Sequence, residues 1–288
     1  MKILFVNFSM HSKNMHALLK YGHTIVQTKN PDLSNFNLAD FDVVYSPGMP
    51  LNVSKYPNTK FIFGPHFSIF PDPKKMIPIR ARNVIYVQPS DWARDAWRYN
   101  RNCLGIRIET LPFGVDTERF NEIRPIHERT QVFVYFKHRH PMELNAIEQF
   151  LKYNKINYKI FSYNQKYDET DYLRYLHNSM FGIWVGTHES QGFALEEALS
   201  CNVPLLVWNA ISMSQEYGQK YPHIKSTSIP YWDDTCGEYF INMSQLSETY
   251  DKFITNINNN NYYPRKYILE NLSIHKCNQK LEELVKSM

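Results

Sequence analysis

Several signatures of common function classes are missing from this 288-residue sequence. Its four cysteines include no C-x-x-C pair and lie near no histidine cluster at zinc spacing, so we expect reduced structural thiols instead of a metal site. There is also no P-loop, no G-x-G-x-x-G and no G-x-S-x-G nucleophile elbow. These absences argue against a P-loop nucleotidase and against a serine hydrolase of the nucleophile-elbow type.

Long apolar runs and strong charge asymmetry are missing as well. No run is long enough to span a bilayer, and the apolar start of the chain is too short for a signal peptide, so we expect a cytoplasmic protein. The formal net charge is +4, but the Lys and Arg residues are scattered, which argues against nucleic acid as a partner. Hydrophobic residues make up 43% of the chain, enough to form a packed core.

Strand-like and helix-like stretches alternate along the chain. Short runs rich in Val, Ile and Phe predict strands at 3–7, 42–45, 60–63, 84–87, 131–136, 158–161, 181–185 and 204–208. Helices are predicted at 14–21, 91–100 with Ser90 as N-cap, 142–154, 169–177, 192–200 and 265–286. Continuous apolar runs are typical of parallel strands buried on both faces. Because the pattern restarts near residue 120, we predict two Rossmann-like α/β domains, at 1–120 and 121–262, followed by a C-terminal helix at 263–288.

The segment from His188 to Pro204 carries the sharpest functional signal. Glu189 lies in the turn after a predicted strand, and Glu197 lies in the following helix with seven residues between the two. The first-turn amides of such a helix attract an anion, and a glycine lets a ligand approach the backbone closely. The candidate anion-binding residues are Gly192, Phe193, Ala194 and Leu195. A carboxylate such as Glu197 can accept hydrogen bonds from both ribose hydroxyls, and one such as Glu189 can accept them from a transferred sugar.

This segment resembles the E-x7-E motif of family-4 retaining glycosyltransferases, E-G-F-G-L-x-x-x-E-A-M-A-x-G-x-P. The identical positions are Glu189, Gly192, Glu197, Ala198 and Pro204. The sequence departs from the motif at Ser190, Gln191 and Asn202, of which Asn202 tolerates the left-handed conformation of a helix cap. None of these departures removes the amides or the paired carboxylates.

Three other features extend the resemblance. The stretch 111–120 is similar to the interdomain segment I-P-N-G-V-D-x-x-x-F of the family, and 84–90 is similar to the strand and turn before it. After the strand 131–136, Lys137 occupies the place of a cation that binds the donor diphosphate, and Arg139 is a candidate second cation at shorter spacing than usual. His66, after another strand, is a candidate to face the donor sugar, with a merely structural role as the alternative. His11 is a weaker candidate on the acceptor side.

The resemblance implies a GT-B fold, with two Rossmann-like domains facing across a cleft and the C-terminal helix crossing back to the first domain. It further implies sugar transfer with retention from a nucleotide-diphosphate sugar, without metal or other cofactor, with Glu189, Lys137 and His66 in catalytic roles. The acceptor is open among glycan, lipid-linked and protein acceptors, with peripheral membrane contact as an option. The alternatives are a catalytically inactive GT-B-fold binding or scaffold protein and a sugar-nucleotide epimerase. Asp40-Phe41-Asp42 matches a metal-binding D-x-D, but it opens an apolar strand and is set aside.

Overall fold

The computed structural model describes residues 1–6 and 9–288, so the last residue of the predicted strand 3–7 lies outside the described residues. The chain divides into two compact units. The first unit contains Met1–Gly114 together with Ile274–Met288, and the second contains Val115–Ser273.

The first unit is built on a six-stranded sheet in which every pairing is parallel. Its strands are β1 (Lys2–Val6), β2 (Thr24–Thr28), β3 (Val43–Ser46), β4 (Phe61–Phe63), β5 (Val84–Gln88) and β6 (Arg107–Thr110), in the order β2-β1-β3-β4-β5-β6. Its helices are α1 (Ser12–Lys20), α2 (Pro73–Met76), α3 (Asp91–Arg98) and α9 (Ile274–Lys286). The strands β3, β4 and β5 are buried along their whole length, as their continuous apolar runs predict.

The second unit repeats this architecture with a five-stranded parallel sheet. Its strands are β7 (Gln131–Lys137), β8 (Lys159–Ser162), β9 (Ser179–Gly186), β10 (Leu205–Trp208) and β11 (Gly237–Phe240), in the order β11-β10-β9-β7-β8. Its helices are α4 (Pro141–Tyr153), α5 (Glu169–Leu176), α6 (Phe193–Ser200), α7 (Leu246–Asn258) and α8 (Pro264–Asn271). Because the strands are parallel, the loops after β7 and β9 leave the same edge of the sheet next to each other.

The stretch 265–286 is helical as predicted, except for a two-residue break that divides it into two helices. α8 ends at Asn271 and α9 begins at Ile274. Between them, the Leu272 carbonyl accepts a hydrogen bond from the Val115 amide at 2.9 Å, and Ser273 forms a parallel β-bridge with Val115. These tertiary contacts interrupt a stretch whose helical periodicity runs through the break.

The units divide at Gly114/Val115 and Ser273/Ile274, whereas the sequence analysis placed the boundaries at 120 and 262. Residues 115–120 stay with the second unit because the Phe120 carbonyl accepts from Ser200 Oγ at 2.5 Å and from Arg265 at 3.1 Å. α8 also stays there, packed against α6. The chain returns to the first unit only with α9, which packs on α1 and whose Val285 carbonyl accepts from Lys60 Nζ at 2.8 Å.

None of the helices in the described part of the chain combines the length and the apolar character that a membrane crossing requires.

The four cysteines, at positions 103, 201, 236 and 277, all lie in the described part of the chain, where they are buried and form no disulfide. Burial raises the pKa of the Cys201 thiol to about 12 and that of Cys103 to about 11, so neither is a reactive thiolate at neutral pH.

Candidate functional site

Lys137 and Glu189 meet where β7 and β9 end. Lys137 is the last residue of β7, and Glu189 follows β9 by three residues. The Lys137 Nζ lies 2.9 Å from each carboxylate oxygen of Glu189, and both side chains are mostly buried. Burial lowers the pKa of Lys137, but the charge and hydrogen bonds of Glu189 outweigh it, so the pKa is raised and the lysine stays charged. Two residues that are 52 positions apart in the chain thus form one charged site.

The turn that carries Glu189 is held in place by the connection between β10 and β11. The Glu189 amide donates to the Thr227 carbonyl at 2.9 Å, and the Thr227 hydroxyl donates to Asn209 Oδ1 at 2.9 Å. Gly192 ends the turn with φ 96° and ψ 45°, a left-handed conformation that favours glycine. A Cβ at this position would lie 3.3 Å from the Glu189 Cβ, so a side chain there would also crowd the stem of the Glu189 side chain.

α6 begins directly after Gly192, so its positive end lies beside the Lys137–Glu189 pair. Phe193, Ala194 and Leu195 form its first turn, as the sequence motif predicts. The Ala194 carbonyl accepts a hydrogen bond from the Tyr172 hydroxyl at 2.9 Å, which fixes the helix start against α5. The start of α6 adds partial positive charge and backbone amides at this edge of the sheet, an arrangement that fits an anionic ligand.

Glu197 lies one turn into α6 and is buried. Its charge is close enough to Tyr167 to raise the pKa of that phenol, which burial and the neighbouring carboxylates together bring to about 12. Tyr167 in turn packs on Tyr135 and Tyr172. The charge of Glu197 therefore acts on Tyr167, which lies in the loop that joins β8 to α5.

Arg139, the second candidate cation, is engaged by other protein groups. Its side chain is 1% exposed and binds Glu143 with both Nε, at 2.8 Å, and Nη2, at 2.5 Å. Its Nη1 donates to the carbonyls of Gly186 and Trp208, both at 3.2 Å. The guanidinium thus joins the ends of β9 and β10 to the start of α4, and its donors point into the protein. Spacing alone could not distinguish this buried side chain from a surface cation.

Two residues near the site were not predicted from the sequence. Tyr163 follows β8 and is 48% exposed, and its ring lies 4.7 Å from Lys137 Nζ. Glu216 lies beyond β10, 3.1 Å from His138 Nδ1 and 3.5 Å from His188 Nε2. The position of Tyr163 at a strand's carboxyl end is a signal that could have identified it. Glu216 comes eight residues after its strand, so no simple spacing rule points to it.

His66 lies in the first unit, in the loop after β4. Its Nε2 accepts a hydrogen bond from the His11 amide at 3.4 Å and lies 3.0 Å from Asn14 Nδ2. These donors require an unprotonated Nε2, so the proton of the neutral ring is on Nδ1. Burial, together with the nearby His11, lowers the pKa of His66 to about 4. His11 itself is the N-cap of α1, and its Nδ1 accepts from the Lys13 amide at 3.3 Å. The structure thus brings His66 and His11 together.

Potential metal ligands are not clustered in the part of the chain that the structure describes. Across residues 1–6 and 9–288, no three or more His, Cys, Asp or Glu side chains are arranged to hold a metal ion.

Comparisons with known proteins identify the fold. No protein-family model and no curated protein sequence matches the chain. A trehalose-6-phosphate synthase, studied for glycosyl transfer with retention, matches with a TM-score of 0.61 at 10% identity over 100% of this chain and 99% of that chain. TarM matches with a TM-score of 0.53 at 15% identity over 84% of this chain and 54% of TarM. The GtfA/B complex matches with a TM-score of 0.53 at 12% identity over 85% of this chain and 57% of that chain.

The chain thus spans just over half of the length of TarM and of the matched chain of the GtfA/B complex. At these identities the likeness concerns the fold. The two parallel α/β units of the chain have the GT-B architecture of these structures, as predicted from the sequence.

Proposed function

We propose that the chain is a glycosyltransferase that takes a sugar from a nucleotide-diphosphate sugar bound to the second unit. The observation that carries this proposal is the Lys137–Glu189 pair beside the start of α6. An ammonium group and a helix N-terminus at the carboxyl edge of a parallel sheet favour a diphosphate, and an adjacent carboxylate favours sugar hydroxyls. The GT-B fold and the resemblance to the E-x7-E motif support the same assignment.

Each side chain of the proposed donor site has a distinct task. Lys137 and the amides from Gly192 to Leu195 stabilise the diphosphate, whose negative charge grows as the sugar leaves. Glu189 orients the sugar, and Glu197 accepts hydrogen bonds from the ribose. Arg139 is left out of the donor site, because its donors are engaged by Glu143 and by the carbonyls at the ends of β9 and β10. On the acceptor side, His66 offers its Nδ1–H to a substrate oxygen, with His11 next to it.

The proposal includes retention at the anomeric carbon and independence from metal ions. Retention is supported by the resemblance to family 4 and by the fold shared with the trehalose-6-phosphate synthase. Lys137 and α6 supply positive charge at the place where a metal would otherwise neutralise the diphosphate. The acceptor is a glycan, a lipid-linked sugar or a protein. Four buried cysteines without a disulfide are in keeping with a cytoplasmic setting.

One observation favours a second candidate function, that of a GT-B-fold binding protein without catalysis. Of the two cations suggested by the sequence, Arg139 is engaged by Glu143 and two carbonyls. Lys137 is left to compensate the charge of the leaving group, and it is itself paired with Glu189. Such a protein would bind the nucleotide but transfer no sugar.

A nucleotide screen tests these alternatives. The melting temperature of the purified protein is measured with UDP, GDP, ADP, CMP and their sugar conjugates, with and without EDTA, and binders are then assayed for nucleotide release. One nucleoside diphosphate that stabilises the protein regardless of EDTA, with a sugar conjugate that is turned over, supports the transferase. Stabilisation without turnover supports the binding protein. If no nucleotide stabilises the wild type, the donor site is refuted.

A further inference from the structure

A surface of the first unit combines exposed apolar side chains with exposed cations. Four large apolar side chains are mostly in solvent: Ile69 at 58%, Ile77 at 61%, Tyr99 at 83% and Leu104 at 70% exposure. Five exposed cations lie in the same two segments, namely Lys74, Arg80, Arg82, Arg98 and Arg101. We call these nine residues the basic apolar surface.

Hydrogen bonds hold the two segments of this surface, 69–82 and 98–104, side by side. The Ile69 carbonyl accepts from the Trp97 indole at 3.2 Å, and the Pro71 carbonyl accepts from Asn102 at 3.0 Å. The Asn102 carbonyl in turn accepts from Arg80 at 3.2 Å. α2 also packs against the short helical turn Arg101–Cys103. The exposed side chains therefore form one surface on a rigid base.

The charge of this region is strongly one-sided. Residues 67–107 contain eight Lys and Arg residues but only three Asp residues. Asp91 and Asp95 pair with Arg94, and Asp72 caps α2. Over residues 1–6 and 9–288, none of the five cations of the basic apolar surface pairs with a carboxylate. Their positive charge is available to an external partner.

We propose that the basic apolar surface docks on a bilayer of anionic lipids. Anionic lipid headgroups can pair with the five cations, which have no carboxylate partner in the described part of the chain. The boundary between headgroups and acyl chains can bury the apolar side chains that are otherwise exposed to water. A nucleic acid would satisfy the cations but would leave Ile77 and Leu104 in water. A second copy of the chain would place like charges opposite each other. The proposal is independent of the donor site and goes beyond the proposed transfer reaction.

Vesicle flotation of the full chain tests the docking. The protein is mixed with vesicles of phosphatidylcholine, with or without phosphatidylglycerol, in the absence of any nucleotide. One variant reverses two charges, Arg82→Glu with Arg101→Glu, and another removes apolar contact, Ile77→Ser with Leu104→Ser. The control, Lys29→Glu with Lys152→Glu, changes the net charge equally at two exposed positions outside the surface. Melting temperatures verify that each variant is folded.

We expect the wild type and the control to float with the anionic vesicles but not with phosphatidylcholine alone. Each lost cation should lower partitioning about fivefold, so the charge-reversal pair should lose at least about 25-fold. The variant Ile77→Ser with Leu104→Ser should partition onto the anionic vesicles about tenfold less or weaker still. The proposal is overturned if the wild type ignores anionic vesicles or if the control loses as much as the charge-reversal pair. It is also overturned if the apolar pair binds like the wild type, since that indicates a general polyanion partner.

Discussion

Lys137 donates to both carboxylate oxygens of Glu189, at 2.9 Å each, across the ends of β7 and β9. Taken alone, burial would lower the pKa of the lysine, and the carboxylate is what keeps it protonated. The pair is therefore a charged site built from the protein's own side chains. Removing either member leaves the buried charge of the other uncompensated.

Lys137→Ala should weaken the binding of the nucleoside diphosphate about ten- to a hundredfold, since a hydrogen bond to a charged group contributes about 1.5–3 kcal/mol. Calorimetric titration measures the loss. The matched control is Lys152→Ala, which removes an exposed lysine from α4. Equal affinities for the wild type and Lys137→Ala would refute the role of Lys137 in diphosphate binding.

Glu197→Gln should lower nucleotide affinity about tenfold or more if the carboxylate binds the ribose hydroxyls. Because Glu197 is buried, the substitution is also expected to change the stability of the protein, which could lower affinity by itself. The test therefore compares the affinities for ribose and deoxyribose nucleotides. The wild type should prefer the ribose form, and the variant should lose that preference, as a double-mutant cycle requires for a direct contact. A preference that survives in Glu197→Gln would assign the ribose to another residue.

Arg139→Met should reduce stability without changing nucleotide affinity. Glu143 is partly exposed and stays solvated without its partner, but the carbonyls of Gly186 and Trp208 would lose their donor, at about 1–3 kcal/mol for a buried group left unsatisfied. Urea unfolding measures the change. Arg174→Met, which breaks an exposed ion pair with Asp171, should cost less than about 1 kcal/mol. Weakened nucleotide binding by folded Arg139→Met would return Arg139 to the donor site.

His66 should make the protein less stable as the pH falls. Its pKa is about 4 in the folded protein, against an ordinary value of 6.5, so the unfolded chain binds a proton at higher pH than the folded protein does. Stability is therefore lost progressively from about pH 6.5 down to about pH 4, by roughly 1–2 kcal/mol at pH 5.

His66→Gln should flatten this profile, measured as urea unfolding at pH 7 and pH 5. His127→Gln, at an exposed position, is the control. Identical pH profiles for His66→Gln and the wild type would show that His66 is not held neutral. Above pH 5, activity should show no titration of His66, because its Nε2 already accepts hydrogen bonds.

The sequence predicted the strands whose residues are buried on both faces and missed three of the four edge strands; the fourth, β8, was predicted. β2, β6 and β11 are edge strands with alternating or exposed polar residues, so they lack the continuous apolar run by which β3, β4 and β5 were recognised. The break between α8 and α9 depends on pairing with Val115, which no local pattern encodes. Both failures concern tertiary contacts between distant parts of the chain.

The candidate site divides in the same way. Glu189, Gly192 and the first turn of α6 are neighbours in the sequence, so a motif identifies them together. The side-chain direction of Arg139 depends on Glu143 and on the carbonyls of two other strands. Glu216 lies beside His138 and His188 because of the path taken by the long connection between β10 and β11. These features follow from packing, which the spacing of residue types does not report.

The bridge between Val115 and Ser273 brings the two ends of the second unit together. That unit is therefore a continuous piece of polypeptide that leaves the ribosome whole. The first unit begins the chain yet receives α9 only after the second unit has been synthesised. We infer that the first unit, although most of it is translated before the second, is completed after it. Its sheet lacks α9 until the second unit has been synthesised.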